Sequence, residues 1–225
     1  MRRFDRFLAA LAKAEVSSRA YNPYSSIAGD GRANAIRRRN LRRYFEEISA
    51  IGPRTLLVGE APSHRGARLT GIAFVSETIM LDGVELGGVR ILGGDRGYRK
   101  ATTGSIRSTE ASATMVWETI RAIEPLPLLW NAFPFHPFVH GNPLSNRAPI
   151  ADELRLGEKF LAWLIRLFEI EQVTAVGNHA GASLARLGIE HVRVRHPSQG
   201  GKRKFVEGMQ RVASTRSANA HSNSI

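Results

Sequence analysis

Four short apolar runs, each separated from the next by a helical pattern, constrain this chain more than any other feature. They are Arg54–Gly59 (RTLLVG), LPLLWNAF over 126–133, Gln172–Gly177 (QVTAVG) and His191–His196 (HVRVRH). Between them, the spacing predicts helices over Thr109–Ile123, Ile150–Phe168 and Ala180–Leu187, the last with Gly188 at its C-cap. Parallel neighbours need a crossover connection, and the crossover helices cover the faces of the sheet. The expected fold class is therefore α/β, a parallel sheet with helices on both faces. GVELGGVRIL adds a small hairpin turning at Gly87-Gly88.

Two further helices are expected in residues 1–50. Phe4, Phe7, Leu8 and Leu11 mark the first, and Leu41, Tyr44, Phe45 and Ile48 form the stripe of the second. The first reads as an amphipathic helix rather than a signal peptide, because Lys13 and Glu15 end its apolar run early. With 225 residues, 43% of them hydrophobic, one core and one domain over 1–213 are expected. The small, polar stretch 214–225 is expected to be a disordered tail. No apolar run approaches the ~20 residues that span a bilayer. Cysteine is absent, which excludes disulfides, thiolate-bound zinc and cysteine-held iron–sulfur clusters and makes a cytoplasmic protein the simplest reading. The histidines show no HxH or HExxH spacing, so no metal is expected. Lys plus Arg number 32 against 20 Asp plus Glu, a net charge of +12. That balance favours a polyanionic partner, nucleic acid foremost; the bland alternative is a basic proteome.

Open parallel sheets bind ligands beyond the C-terminal ends of their strands. The first exit is GEAPSHRGARLTGIAFVSE, which lacks the GK[ST] ending of a phosphate loop. Glu60 and Glu77 are its candidate acids or bases, and Phe74 a stacking platform; core packing for Phe74 and exposure for Glu77 are the bland readings. The second run delivers Asn131, an amide at the tip of an apolar strand. The third runs into Asn178 and His179, read as a turn and helix N-cap. The fourth runs into His196-Pro197-Ser198-Gln199-Gly200-Gly201, then Lys202, Arg203 and Lys204 in the first turn of a helix bearing Phe205, Met209 and Val212. Cations at a helix N-terminus oppose the macrodipole, so an anion such as a DNA phosphate explains them better than the fold does. A solvated charged face is the alternative. Ser198, Gln199 and Gly200 would approach the same backbone. The basic loop Gly93–Thr109 offers Arg96, Arg99 and Lys100 as further phosphate contacts, a disordered surface loop being the other reading.

These motifs, in this order, resemble the uracil-DNA glycosylase superfamily. Gly59-Glu60-Ala61-Pro62 resembles the GEAPG motif of the family-four enzymes, and its continuation through Gly66, Phe74 and Glu77 is similar to the family-five pattern. Asn131 and His196-Pro197-Ser198 match the second and third motifs, and Asn146-Arg147-Ala148-Pro149 with Glu153 is similar to a family-four segment. The likeness runs from about Leu56 to Val212. It implies a three-layer α/β/α fold with a central four-stranded parallel sheet, and hydrolysis of deoxyuridine in DNA by a monomer that flips the base out. It implies no cofactor and, without cysteine, no iron–sulfur cluster. It gives Asn131 the pairing with uracil, Phe74 the stacking, and His196 the hydrogen bond to the leaving base. Ala61 stands where family one has its water-positioning Asp, leaving Glu77 first and Glu60 second as replacements. Ser63 stands where family one has the Tyr that excludes thymine, and His64 where it also has His. Two rivals follow: a glycosylase for hypoxanthine, xanthine or mismatched thymine, and a protein that binds uracil-DNA without hydrolysing it.

Overall fold

The structure, a computed structural model, describes residues 3–222, with side chains through Ser214. The chain opens with α1 (Asp5–Lys13), the two-residue β1 (Ala20–Tyr21) and the long α2 (Gly31–Ile51). β2 (Thr55–Gly59) leads through short α3 (Ala67–Thr70) and α4 (Glu77–Asp82) to the hairpin β3 (Val84–Leu86) and β4 (Val89–Ile91). Then come α5 (Ala111–Ile120), β5 (Leu128–Asn131), the two-residue β6 (His136–Pro137) and α6 (Ala151–Leu167). β7 (Gln172–Val176), α7 (Asn178–Arg186), β8 (Val192–Val194) and α8 (Lys202–Ser222) complete it.

The central sheet is four-stranded and parallel throughout, in the order β5-β2-β7-β8. Every central strand and crossover helix foreseen from the apolar runs is present; the strands, α5 and α6 are shorter by up to a few residues at their ends, whereas α7 starts two residues early, at Asn178. From β2 the chain steps to β5 on one side, then returns across β2 to β7 and β8. Right-handed crossovers therefore put α5 on one face and α6 and α7 on the other. The packing agrees: α5 meets α8, and α6 meets α7. The outcome is the expected α/β/α arrangement. The hairpin turns at Gly87 (φ 51°) and Gly88 (φ 88°), two left-handed residues that match the twist of the paired strands.

Both N-terminal helices pack against β5 and its face. The Phe7 ring meets Trp130 edge-on at 5.5 Å and Phe160 of α6 at 5.8 Å, and Phe45 of α2 lies 6.0 Å from Trp130. Tyr44 closes the open edge of β5, its hydroxyl accepting the Leu129 N–H at 3.0 Å. Alternation along β5 sends Trp130 into this aromatic cluster and Asn131 toward the opposite face. At the far end of the chain, Phe205, Met209 and Val212 of α8 are buried, as their spacing predicts. The helical backbone runs on to Ser222, beyond Val212, where the sequence reads as a disordered tail. No Gly or Pro interrupts the stretch after Gly208, so nothing in it breaks the helix. Residues 223–225 of that tail lie outside the described residues. Among the described residues, no helix is long and apolar enough to cross a membrane.

Candidate active site

Parallel pairing sets Gly59 directly across from Asn131 at the C-terminal ends of β2 and β5. Glycine is required there: a Cβ on Gly59 would fall 2.4 Å from Phe74 Cζ and 2.7 Å from Asn131 Oδ1. The missing side chain lets the Phe74 ring lie over the strand end beside the amide. Phe74 itself adopts φ 57°, a left-handed conformation costing ~1–3 kcal/mol in a non-glycine residue. Trp117 of α5 holds it there, donating its indole N–H to the Phe74 carbonyl at 2.9 Å. From the other face, α6 presses Gly157 so close that a Cβ would lie 1.8 Å from the Ala132 carbonyl oxygen. Asn131 is 6% exposed, and its side chain makes no hydrogen bond to another described residue. The amide opens onto the cavity, where a ligand can take up both its donor and its acceptor.

His196 enters from the loop after β8. Its Nδ1 accepts the Ser198 N–H at 3.2 Å and lies 2.7 Å from the Ser198 hydroxyl. A ring nitrogen that accepts a backbone N–H carries no proton of its own, so the neutral ring bears its hydrogen on Nε2, the nitrogen free for a ligand. Burial, reinforced by the Arg195 charge, holds the His196 pKa below the ordinary value of 6.5, so the ring is neutral at pH 7. The loop that aims it is tight. Gln199 and Gly200 are left-handed, at φ 52° and 73°, and a Cβ on Gly201 would meet the His196 carbonyl oxygen at 2.0 Å.

Glu60, Ala61, Ser63, Ala67, Phe74, Glu110, Ser112, Asn131 and His196 together line one small cavity of about 50 Å³. It has room for water and is smaller than a nucleobase.

A family model described as the uracil DNA glycosylase superfamily matches residues 45–215. The chain belongs to that superfamily. It is by family a DNA glycosylase. The crystal structure of wild-type SMUG2 from Pedobacter heparinus superposes with a TM-score of 0.59 at 14% identity, over 98% of this chain and 99% of that one, a likeness of fold. No curated protein matches.

The cavity gathers His196, Glu60, Asn131, Phe74, Ala61 and Ser63 from the residues read in the sequence. Glu77 is not among them. It is 1% exposed at the start of α4, where its carboxylate accepts the Thr102 hydroxyl at 2.5 Å and the Ser108 N–H at 2.9 Å. Its alignment with a motif acid overlooked that the chain turns into a helix at Ser76, carrying the side chain under the 99–109 loop. Glu77→Ala leaves buried donors unmet and is expected to cost about 3 kcal/mol, read as a lower Tm and faster exchange of the Ser108 amide.

His64 also stands apart from the cavity. Its backbone N–H donates to Asn146 Oδ1 at 2.9 Å, tying the first motif to the 146–153 segment. There Arg147 forks onto Glu153 at 2.7 and 2.6 Å, and Glu153 also accepts the Ile150 N–H at 3.0 Å. Those residues hold a loop rather than a ligand. His136, fully buried, has Nδ1 2.7 Å from the Pro62 carbonyl oxygen and Nε2 3.3 Å from that of Pro143, and the neutral ring donates its one N–H to only one of them. Burial outweighs these contacts and lowers its pKa to about 4. The folded value lies below the ordinary 6.5, so between the two the unfolded chain binds a proton that the folded chain refuses. Stability is therefore full above pH 6.5 and falls as pH drops toward 4, by about 3 kcal/mol at ~1.4 kcal/mol per pH unit. Denaturant unfolding of wild type and His136→Asn across that range checks it: the variant is expected to lose most of the slope.

The residues read as phosphate contacts divide. Lys202, Arg203 and Lys204 stand exposed at the start of α8; Lys202 reaches Glu118 at 3.0 Å, and Arg203 lies 3.8 Å from Glu207. Gln199 and Gly200 are exposed beside them. The Ser198 hydroxyl is engaged by His196. Arg96 pairs with Glu47 at 3.1 Å, while Arg99 and Lys100 donate to carbonyls of their own loop. That loop is pinned rather than loose: Tyr98 is buried and gives its hydroxyl to Glu47 at 2.9 Å.

Sequence reasoning missed three residues of the cavity lining, Ala67 of α3 among them. Glu110 and Ser112 reach it from the start of α5, in a segment with no motif of its own. His179, read as a turn residue, does sit in the first turn of α7, but its Nε2 also lies 3.9 Å from Glu60 Oε1. Burial raises the Glu60 pKa above the usual carboxylate value, with His179 opposing.

Proposed function

We propose that this glycosylase hydrolyses the N-glycosidic bond of deoxyuridine in DNA, acting as a monomer on a flipped base. The observation that carries the reading is the Asn131 amide, which has no side-chain hydrogen bond among the described residues and lines the same cavity as Phe74. Uracil offers O4 as acceptor and N3–H as donor, which the amide matches in one orientation; cytosine presents the reverse and leaves the amide unpaired. Phe74 stacks on the base. Neutral His196 donates Nε2–H to O2 as negative charge grows on the leaving base, an interaction stronger in the transition state than before it. Glu60, its pKa raised toward the working pH, orients the water and takes its proton. The exposed basic turn Lys202–Lys204 meets the DNA backbone beside the pocket, and extrusion of the base brings it to these groups.

Ser63 favours a second reading. Its hydroxyl is buried without a partner, and the small side chain leaves the cavity wall open where family one has Tyr. A base with an extra group there, hypoxanthine, xanthine or mismatched thymine, would then be accepted. Labelled oligonucleotides carrying each of these bases or uracil, single-stranded and opposite A or G, separate the readings after alkali treatment. Uracil-dependent scission that Glu60→Gln slows by about 100-fold is expected. Scission with another base alone favours the second reading, and tight uracil-DNA binding without scission favours a binding protein.

A further inference from the structure

We propose that Glu110 is a catalytic residue of this pocket, its carboxylate facing the deoxyribose as positive charge develops there. The inference deepens the uracil reading and rests on it.

Glu110 immediately precedes α5, and its side chain turns away from the helix into the cavity that holds Asn131 and His196. It caps no backbone N–H of α5, so helix capping does not account for its position. Space for it is made by the first motif: a Cβ on Gly66 would fall 1.9 Å from Glu110 Oε2. In a chain of net charge +12, no Lys, Arg or His among the described residues pairs with it. Among the described residues, its side chain accepts only from the Ser112 hydroxyl, at 3.2 Å. Glu60, by contrast, has His179 nearby. A carboxylate kept free of cations in a half-enclosed cavity is a counter-charge for a cation that exists only briefly.

An orphaned hydroxyl points the same way. Ser63 Oγ lies 3.1 Å from the position of that missing Gly66 Cβ, and it is buried without a hydrogen bond. Ser63, Ser112 and Glu110 therefore form a polar seat on one side of the cavity, sufficient to hold a water. The seat is braced from behind. Glu77 holds the Ser108 N–H at 2.9 Å, and the Ser108 hydroxyl donates to the Arg65 carbonyl at 2.8 Å, tying the approach to α5 onto the motif loop.

The step balances without a redox partner. The C1′–N1 bond breaks and its electron pair leaves on uracil, stabilised by His196. The sugar cation formed faces Glu110. Water adds its oxygen to C1′, and its proton passes to Glu60 and then to solvent.

Two measurements on the full chain test this. One is single-turnover cleavage of a uracil oligonucleotide by wild type, Glu110→Gln and Glu110→Asp. The other is binding of abasic-site analogues, one with a cationic pyrrolidine in place of the sugar and one with neutral tetrahydrofuran. Glu110→Gln is expected to cleave at least ~100-fold more slowly and to lose the wild-type preference for the cationic analogue, while still binding the neutral one; Glu110→Asp restores part of both. A merely structural Glu110 would not move the cation preference. Cleavage by Glu110→Gln within ~3-fold of wild type, or a retained cation preference, overturns the inference and leaves the uracil reading standing. Absence of uracil release by wild type overturns both.

Discussion

Asn131→Ala is expected to release uracil about 1,000-fold more slowly than the wild type while unfolding at the same temperature or slightly higher. The loss follows from the proposed reading, in which the amide makes two directional bonds with the base in a site that excludes water. The retained stability follows because the amide has no partner to lose within the fold. Residues held ready for a ligand commonly cost the native state something. Single-turnover cleavage beside a thermal melt reads both quantities. A variant that loses activity only by unfolding would show Asn131 to be a structural residue.

His196→Ala carries the second large effect, a fall of about 100- to 1,000-fold, since one donor to a developing anion is commonly worth that much. Its pH signature separates it from Glu60. Burial and the Arg195 charge hold the His196 pKa below its ordinary value, so the ring keeps its Nε2 proton as a donor at neutral pH and removing it is expected to lower the rate there by a constant factor. Burial raises Glu60, so its carboxylate is more protonated at mildly acidic pH than an ordinary one. The wild-type rate is expected to climb as pH rises through that raised pKa, and Glu60→Gln to flatten the climb. His196→Ala keeps the same limb at a lower height. A pH–rate profile for the three proteins checks the assignment.

Where function depends on strand ends, the chain announced it. The four apolar runs gave the sheet, and the rule that ligands sit beyond parallel strands led from Val58-Gly59 and Trp130-Asn131 to the pocket. The HPS loop was legible for a similar reason, because His, Pro, Ser and paired glycines in sequence leave little freedom. Glu110 was not legible. It reaches the cavity because α5 starts beside Gly66, and that neighbourhood exists only after the connection from 67 to 110 has folded. Glu77 misled for the converse reason: its sequence distance from Phe74 fits a site residue, yet the helix begun by Ser76 buries it. The 93–109 loop read as a phosphate-binding or disordered segment, although the buried Tyr98 and its bond to Glu47 tie its first half to α2. Arginines there engage carbonyls and a carboxylate at home, a use that composition does not distinguish from phosphate binding.

The measurement that bears most directly on the account is the free base released by the wild-type protein from a uracil-containing single strand. Chromatography of the reaction, with alkali-labile sites counted in parallel, reads it. Free uracil equal in amount to the abasic sites formed, and lost together in Asn131→Ala and His196→Ala, is the predicted result. A folded protein that binds the strand and leaves its uracil attached would contradict the claim that this pocket breaks the glycosidic bond.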